Sequence, residues 1–185
     1  MDDHRTLIES LRDPSRYDHP TGSISVRETH ISSIVLTGPY AYKIKKPVKF
    51  DFLDFTTPEK RRHYCQRELE LNRRLCPDLY RSVVALTGSP EKPRLGDGST
   101  PFDYAVKMVQ FDEENLLSQL AQDGELERPL IDEVVDTLAD FHGDVQFIPE
   151  SEAPSPAELH DSVQENFRTL NEAEFGENVR RRLQE

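Results

Sequence analysis

The chain has no apolar run long enough to cross a bilayer. Its first ten residues, MDDHRTLIES, lack the basic-then-apolar order of a secretory leader. The expectation is therefore a cytoplasmic protein with no membrane partner. Cysteine is scarce, with Cys65 and Cys76 as the only two. Even with His63 nearby, their spacing matches no zinc-ligand pattern, so reduced structural thiols are expected and no metal site. Basic residues are outnumbered, 23 against 35 acidic ones, for a formal net charge of −12. A surface of that sign repels a phosphodiester backbone instead of displacing its counter-ions. Nucleic acid is set aside as a partner on that ground, despite local basic runs such as KIKKPVK and EKRRHYCQR. Internal repeats and low-complexity tracts are also missing.

What remains is 185 residues, 35% hydrophobic and 31% charged, a balance suited to a soluble globular protein of one domain, or one domain and part of a second. Residues 1–22 are polar and turn-rich, with a short helix over Thr6–Leu11 before Pro14 and Pro20, and read as an N-terminal extension. From Ser23 the character changes: SISVRETH alternates, ISSIVLTG is β-branched up to a Gly38-Pro39 turn, and AYKIKKPVKF follows as a third strand. A helix then starts with a clear signal. Thr56 or Thr57 can cap it, Pro58 suits its first turn, and Glu59 stands three residues after Thr56. It should run to about Leu75, before Pro77. SVVALTG (82–88) and FDYAVKMVQF (102–111) make two more strands around a loop holding Pro90, Pro93, Gly96 and Gly98.

After Phe111 the pattern is helical. NLLSQLAQ is short, and RPLIDEVVDTLADFH places Ile131, Val134, Val135, Leu138 and Phe141 at helical spacing. A linker over 149–157 precedes helices expected at Ala157–Leu170 and Ala173–Leu183. The resulting division is an extension (1–22), a five-stranded antiparallel lobe with one helix (23–111), and the first helices of an incomplete helical lobe (112–185). Apolar faces such as Val134, Leu138 and Phe141 would then be partly uncovered, which favours self-association.

Two positions could carry chemistry together. Alternation puts Ala41, Lys43 and Lys45 on one face of the third strand. A small residue two before a lysine leaves room for an adenine while the lysine reaches phosphate oxygens. The plain alternative is a solvated strand face, which is the expectation for Lys45, Lys46 and Lys49. On the helix, Tyr64, Glu68, Leu71 and Leu75 share one stripe, expected to face inward. A carboxylate there needs a partner, since burying it unpaired costs several kcal/mol, and Lys43 is the natural one. The plain alternative leaves Glu68 at the edge of the stripe, in water.

A strand lysine, a helix glutamate, two further strands and a switch to helices is the layout of a kinase small lobe. The run ETHISSIVLTGPYAYKIKKPVKFDFLDFTTPEKRRHYCQRELELNRRLCPDLY resembles the N-terminal domain of bacterial bifunctional aminoglycoside phosphotransferase/ATP-binding proteins. The resemblance extends over roughly residues 24–145. It implies a protein-kinase-like fold, ATP as ligand and, in longer members, a C-terminal P-loop ATPase domain. By position it implies Lys43 as the phosphate-binding lysine, Glu68 as its partner and Ala41 beside the adenine. Met108, Val109, Gln110 and Phe111 would be the hinge, and His30 to Ser33 the loop over the phosphates. That loop lacks GxGxxG, so backbone N–H groups near Ser32 and Ser33 would have to serve.

His142-Gly143-Asp144 spells the opening of the family's catalytic loop, but Pro149 stands where a magnesium-binding Asn is required. His142 also continues the stripe through Leu138 and Phe141, and Gly143 suits a helix end, so the triplet is expected to be a helix terminus. The catalytic loop and the Mg2+ ligands would be expected only beyond Glu185. The sequence thus points to the ATP-binding portion of a kinase-like phosphotransferase, with an unidentified small-molecule hydroxyl as acceptor and no transfer by this segment alone. The alternative is a non-catalytic nucleotide-binding or regulatory module serving another domain. A third possibility is an acidic interaction protein in which Lys43 and Glu68 are ordinary surface charges.

Overall fold

Alternating and β-branched residues between Ser25 and Val109 build a six-stranded antiparallel sheet. The computed structural model describes residues 3–96, 100–145, 149, 153–161 and 163–164. In chain order its strands are β1 (Ser25–Glu28), β2 (Ser32–Leu36), β3 (Tyr40–Lys45), β4 (Lys49–Phe50), β5 (Leu53–Asp54), β6 (Tyr80–Ser89), β7 (Lys92–Leu95) and β8 (Asp103–Val109). The helices are α1 (Asp3–Ser10), α2 (Pro58–Asn72), α3 (Leu117–Asp123) and α4 (Arg128–Gly143). The main sheet runs β1-β2-β3-β8-β6-β7, and β4 pairs with β5 in a small separate hairpin. Residues 1–132 group as one compact unit and 133–185 as another.

Local chemistry explains the turns that position the sheet. Between β2 and β3 the Thr37 N–H and hydroxyl both donate to the Tyr40 carbonyl, at 2.9 and 2.7 Å. Gly38 turns the chain there at φ 102°, a region that side chains disfavour. The expected third strand breaks at Lys46-Pro47, because proline brings no ladder donor and restricts the residue before it. Its tail forms the β4–β5 hairpin instead. The expected loop around Pro90 and Pro93 contains a strand, β7. It lies at the sheet edge, the place where a proline costs no ladder bond, and Pro93 is fully buried there. The expected five strands are therefore six in the sheet, plus a hairpin.

The expected N-terminal extension contributes to the core, through α1 and the residue just after it. Leu7, Ile8 and Leu11 pack with Val35, Tyr42, Ile44, Leu86 and Ala105 into one cluster against one face of the sheet. Tyr17 secures the segment further: its hydroxyl donates to the Leu11 carbonyl at 2.6 Å, and its ring leans on Tyr42. Polar residues at Asp3, His4 and Arg5 mask this in the sequence, since only one side of a two-turn helix is apolar.

Helix α2 covers the opposite face. Its cap is Thr57, whose hydroxyl accepts from the Lys60 N–H at 3.3 Å, while Thr56 bonds Asp54. The helix ends at Asn72, short of the expected Leu75. Its inward stripe also differs from expectation. Arg61 and Cys65 are buried with Glu68 on their side, whereas Tyr64, Leu71 and Leu75 are exposed. The sheet-facing stripe carries charge, so a search for apolar spacing picks the neighbouring one.

Helix α4 places Ile131, Val135 and Leu138 in the open, and a further helical stretch covers residues 156–161. The helix expected at Ala173–Leu183 lies outside the described residues.

Because Leu11 is only 1% exposed within the shared core, Leu11→Ala is expected to destabilise the first unit by about 2–5 kcal/mol. Urea unfolding followed by tyrosine fluorescence measures this, and a change under about 0.5 kcal/mol would restore the view of a dispensable extension.

Candidate functional site

The inward stripe of α2 meets the sheet through charge at both ends. Near its start, Arg61 Nε donates to Asp103 Oδ1 at 2.7 Å and its Nη1 to the Phe55 carbonyl at 2.9 Å, all buried. Burial pushes the Asp103 carboxyl up, and the Arg61 guanidinium only partly offsets it. In the middle, Cys65 is fully buried and its thiol is pushed up to about 12 by that burial. It is an inert packing residue rather than a nucleophile.

Near its end stands Glu68. Its Oε1 accepts from Lys43 Nζ at 2.7 Å and its Oε2 from Lys45 Nζ, also at 2.7 Å. The Glu68 side chain is 13% exposed, that of Lys43 27% and that of Lys45 6%. Burial pushes the Glu68 carboxyl up, but the two lysines outweigh it and hold the group below its ordinary 4.5. Lys45 corrects the expectation of a solvated strand face. It shares a face with Lys43, and the helix that covers one ammonium covers the other; the Phe55 ring lies 4.9 Å from it. Lys49 is exposed as expected, whereas Lys46 is half-buried, its ammonium beside Glu28 and donating to the Thr29 carbonyl.

Beside this cluster opens a cleft of about 370 Å3. Ile34 and Leu36 of β2, Ala41 and Lys43 of β3, Leu79 just ahead of β6 and Tyr80 at its start, and Met108 with Val109 of β8 form its wall. Strand register explains the set, because Leu36, Ala41 and Met108 stand opposite one another across three strands, as do Arg27, Ile34 and Lys43. Gln110, Phe111, Glu113 and Leu116 continue the lining. At the mouth, Arg27 donates to both carboxylate oxygens of Glu113 at 2.7 and 3.0 Å, linking the first strand to the turn after β8.

The structure thus brings together Ala41, Lys43, Met108, Val109 and Gln110 around one cleft, with Glu68 behind Lys43. It does not bring Ser32 and Ser33 there. Both are fully buried in β2, with the Ser33 hydroxyl between His4 and Glu28, and the Ser32 N–H on the Thr29 hydroxyl. Two amides of the expected hinge are engaged as well: Val109 N–H donates to the Leu79 carbonyl and Gln110 N–H to that of Pro39. Sequence reasoning missed Lys45, Arg27 and Glu113. The two-residue step from Lys43 was a signal for Lys45; nothing local links Arg27 to Glu113 across 86 positions. His142 and Gly143 end α4 and Asp144 follows, its N–H on the Asp140 carbonyl at 3.0 Å, so the triplet is a helix terminus. Among the described residues no group of His, Cys, Asp and Glu is arranged to hold a metal ion.

Fold and site together define an α+β protein whose antiparallel sheet carries a half-buried lysine–carboxylate–lysine cluster beside an apolar cleft. The chain is similar to uncharacterized proteins of Mycobacterium tuberculosis, from two strains, and of Mycobacterium bovis, each 36% identical over 119 residues. That stretch is 64% of this chain and 22% of each relative, so the chain spans less than a quarter of the length of the curated relatives it matches. No family model matches it, and neither does any solved structure.

The depressed Glu68 carboxyl gives a testable sign. A group with a lowered folded-state pKa adds stability above its unfolded value and loses it as pH falls through the folded one. Glu68→Gln should therefore cost about 1–3 kcal/mol at neutral pH, and the gap should narrow at acid pH, as the medium falls below the ordinary carboxylate range. Urea unfolding at both pH values checks it; a gap independent of pH would detach the carboxylate charge from stability.

Proposed function

We propose that this chain is the nucleotide-gripping lobe of a kinase-like phosphotransferase, binding ATP with adenine in the apolar cleft and phosphates at Lys43. One observation carries the reading. Two lysines face one carboxylate beside the cleft, with Lys43 in its lining, and Arg27 and Glu113 cancel at its mouth, so a net positive charge stands beside an apolar slot. An apolar pocket with one uncompensated cation at its end suits a flat heterocycle joined to an anion. Ala41, 5% exposed, leaves room for the ring. The sheet order supports the same reading, since the first three strands, then β8 and beyond it β6, the strand after α2, lie side by side as in a kinase small lobe.

The hinge differs in detail from what the resemblance implies. With the Val109 and Gln110 amides already engaged, an adenine would turn to carbonyl oxygens and to the neighbouring Phe111. Likewise the β1–β2 turn at Thr29–Ile31 offers no glycine, and the phosphates rest mainly on Lys43.

A second reading has an observation in its favour. With His142-Gly143 inside α4 and no metal-binding cluster among the described residues, binding is the function the visible residues can perform. No transfer step is assigned to them, and a nucleotide-sensing module attached to a larger protein would use the same grip. Phosphoryl transfer to a small-molecule hydroxyl belongs to the longer protein in the first reading.

Calorimetric titration with ATP and with adenosine tests the grip. Lys43→Ala is expected to weaken ATP by about 10- to 100-fold and adenosine hardly at all. Equal ATP affinity in wild type and variant would remove Lys43 from the site.

A further inference from the structure

We propose that Lys45 is a positioning residue: a resident counter-ion that keeps Glu68 charged and in place while Lys43 leaves it for the ligand's phosphates. The inference rests on the nucleotide reading and adds to it a division of labour between two lysines of one strand.

The two ammonium groups are alike in distance, 2.7 Å each from separate oxygens of Glu68, and unlike in everything else. Lys43 lines the cleft and is 27% exposed; Lys45 is 6% exposed, lies outside the cleft lining and sits over the Phe55 ring. Of the two, Lys43 alone borders the cleft and is the one placed to turn towards a ligand there.

The energetic problem is the carboxylate left behind. With one lysine, moving it to a phosphate would strand a mostly buried anion, and that cost would subtract from binding. With two, Glu68 keeps one full charge-assisted hydrogen bond throughout. Lys43 is thus oriented by Glu68 yet remains cheap to detach. Preorganisation of this kind matters because a cation held too firmly by its own partner is a poor ligand group.

The test uses the described chain, ATP, and 15N-labelled lysine side chains. In wild type at saturating ATP, the Lys43 ammonium resonance should shift while that of Lys45 stays where it was. Lys45→Met should weaken ATP about tenfold or more, and Lys45→Arg, which keeps the charge on Glu68, should restore affinity to within about twofold. Thermal melts of both variants establish that they are folded, and the ammonium spectra decide the matter if Lys45→Met is not. Equal shifts of both ammonium groups would overturn the proposal, because both lysines would then contact phosphate. Loss of binding in Lys43→Ala with none in Lys45→Met would overturn it too, leaving the nucleotide reading intact. Absence of any ATP binding by wild type would overturn both.

Discussion

Glu68, clasped between Lys43 and Lys45, is the contact on which the arrangement of the first unit depends. Leaving a carboxylate out of water without partners costs several kcal/mol, so the helix can dock only where both oxygens meet cations. Lys43 and Lys45 offer that at one register of β3. A shift of α2 by one residue would rotate Glu68 about 100° away from them. The Arg61–Asp103 pair fixes the other end of the helix against β8 under the same constraint. The Glu68 cluster near one end and the Arg61–Asp103 pair near the other thus set the helix's rotation and its height on the sheet. Apolar packing alone tolerates sliding of that kind more readily, which makes the charged stripe a source of specificity more than of net stability.

The two faces of the sheet divide the work accordingly. One is apolar and packs on α1 through Leu7, Ile8 and Leu11, where burial supplies the driving force. The other carries Ala41, Lys43 and Lys45 towards α2 and the cleft. The β2–β3 turn joins the division to the hinge: the Gly38 N–H donates to the Gln110 side chain at 2.9 Å, and the Gln110 N–H to the Pro39 carbonyl at 3.2 Å. A Cβ on Gly38 would come within 3.1 Å of the Gly22 nitrogen, so the turn packs against the incoming N-terminal segment as well. One wall of the cleft and its base are therefore fixed by the same few residues.

How far the sequence disclosed this depends on which force each element uses. The start of α2 was legible because capping is local, with threonine and proline beside the first turn. Lys43 and Glu68 were legible because strand alternation placed one, and the cost of a lone carboxylate demanded the other. Lys45 was misread for lack of information about cover, since whether a strand lysine meets water depends on a helix many residues away. The stripe of Tyr64, Leu71 and Leu75 was misread for a related reason: hydrophobic periodicity assumes that apolar means inward, and α2 inverts that assumption. Strand β7 escaped because its prolines read as a loop, although an edge position removes their cost. The burial of α1 escaped because a helix of two turns has too few positions to show a period.

The distribution of charge carries the functional question furthest. A chain with formal net charge −12 should on average repel ATP, so any nucleotide site has to work against the long-range field. Screening confines that field to about 8–10 Å at physiological ionic strength, whereas contacts inside a partly buried cleft are screened far less. A local excess of one positive charge, behind an apolar wall, can therefore prevail where the surface as a whole disfavours an anion. The same geometry restricts the choice of ligand. A free inorganic anion gains the lysine but leaves the apolar wall in water, and a bare heterocycle gains the wall but not the charge. On the proposed reading, only a molecule with both parts would use the whole cleft, which is the physical ground for preferring a nucleotide to either of its components.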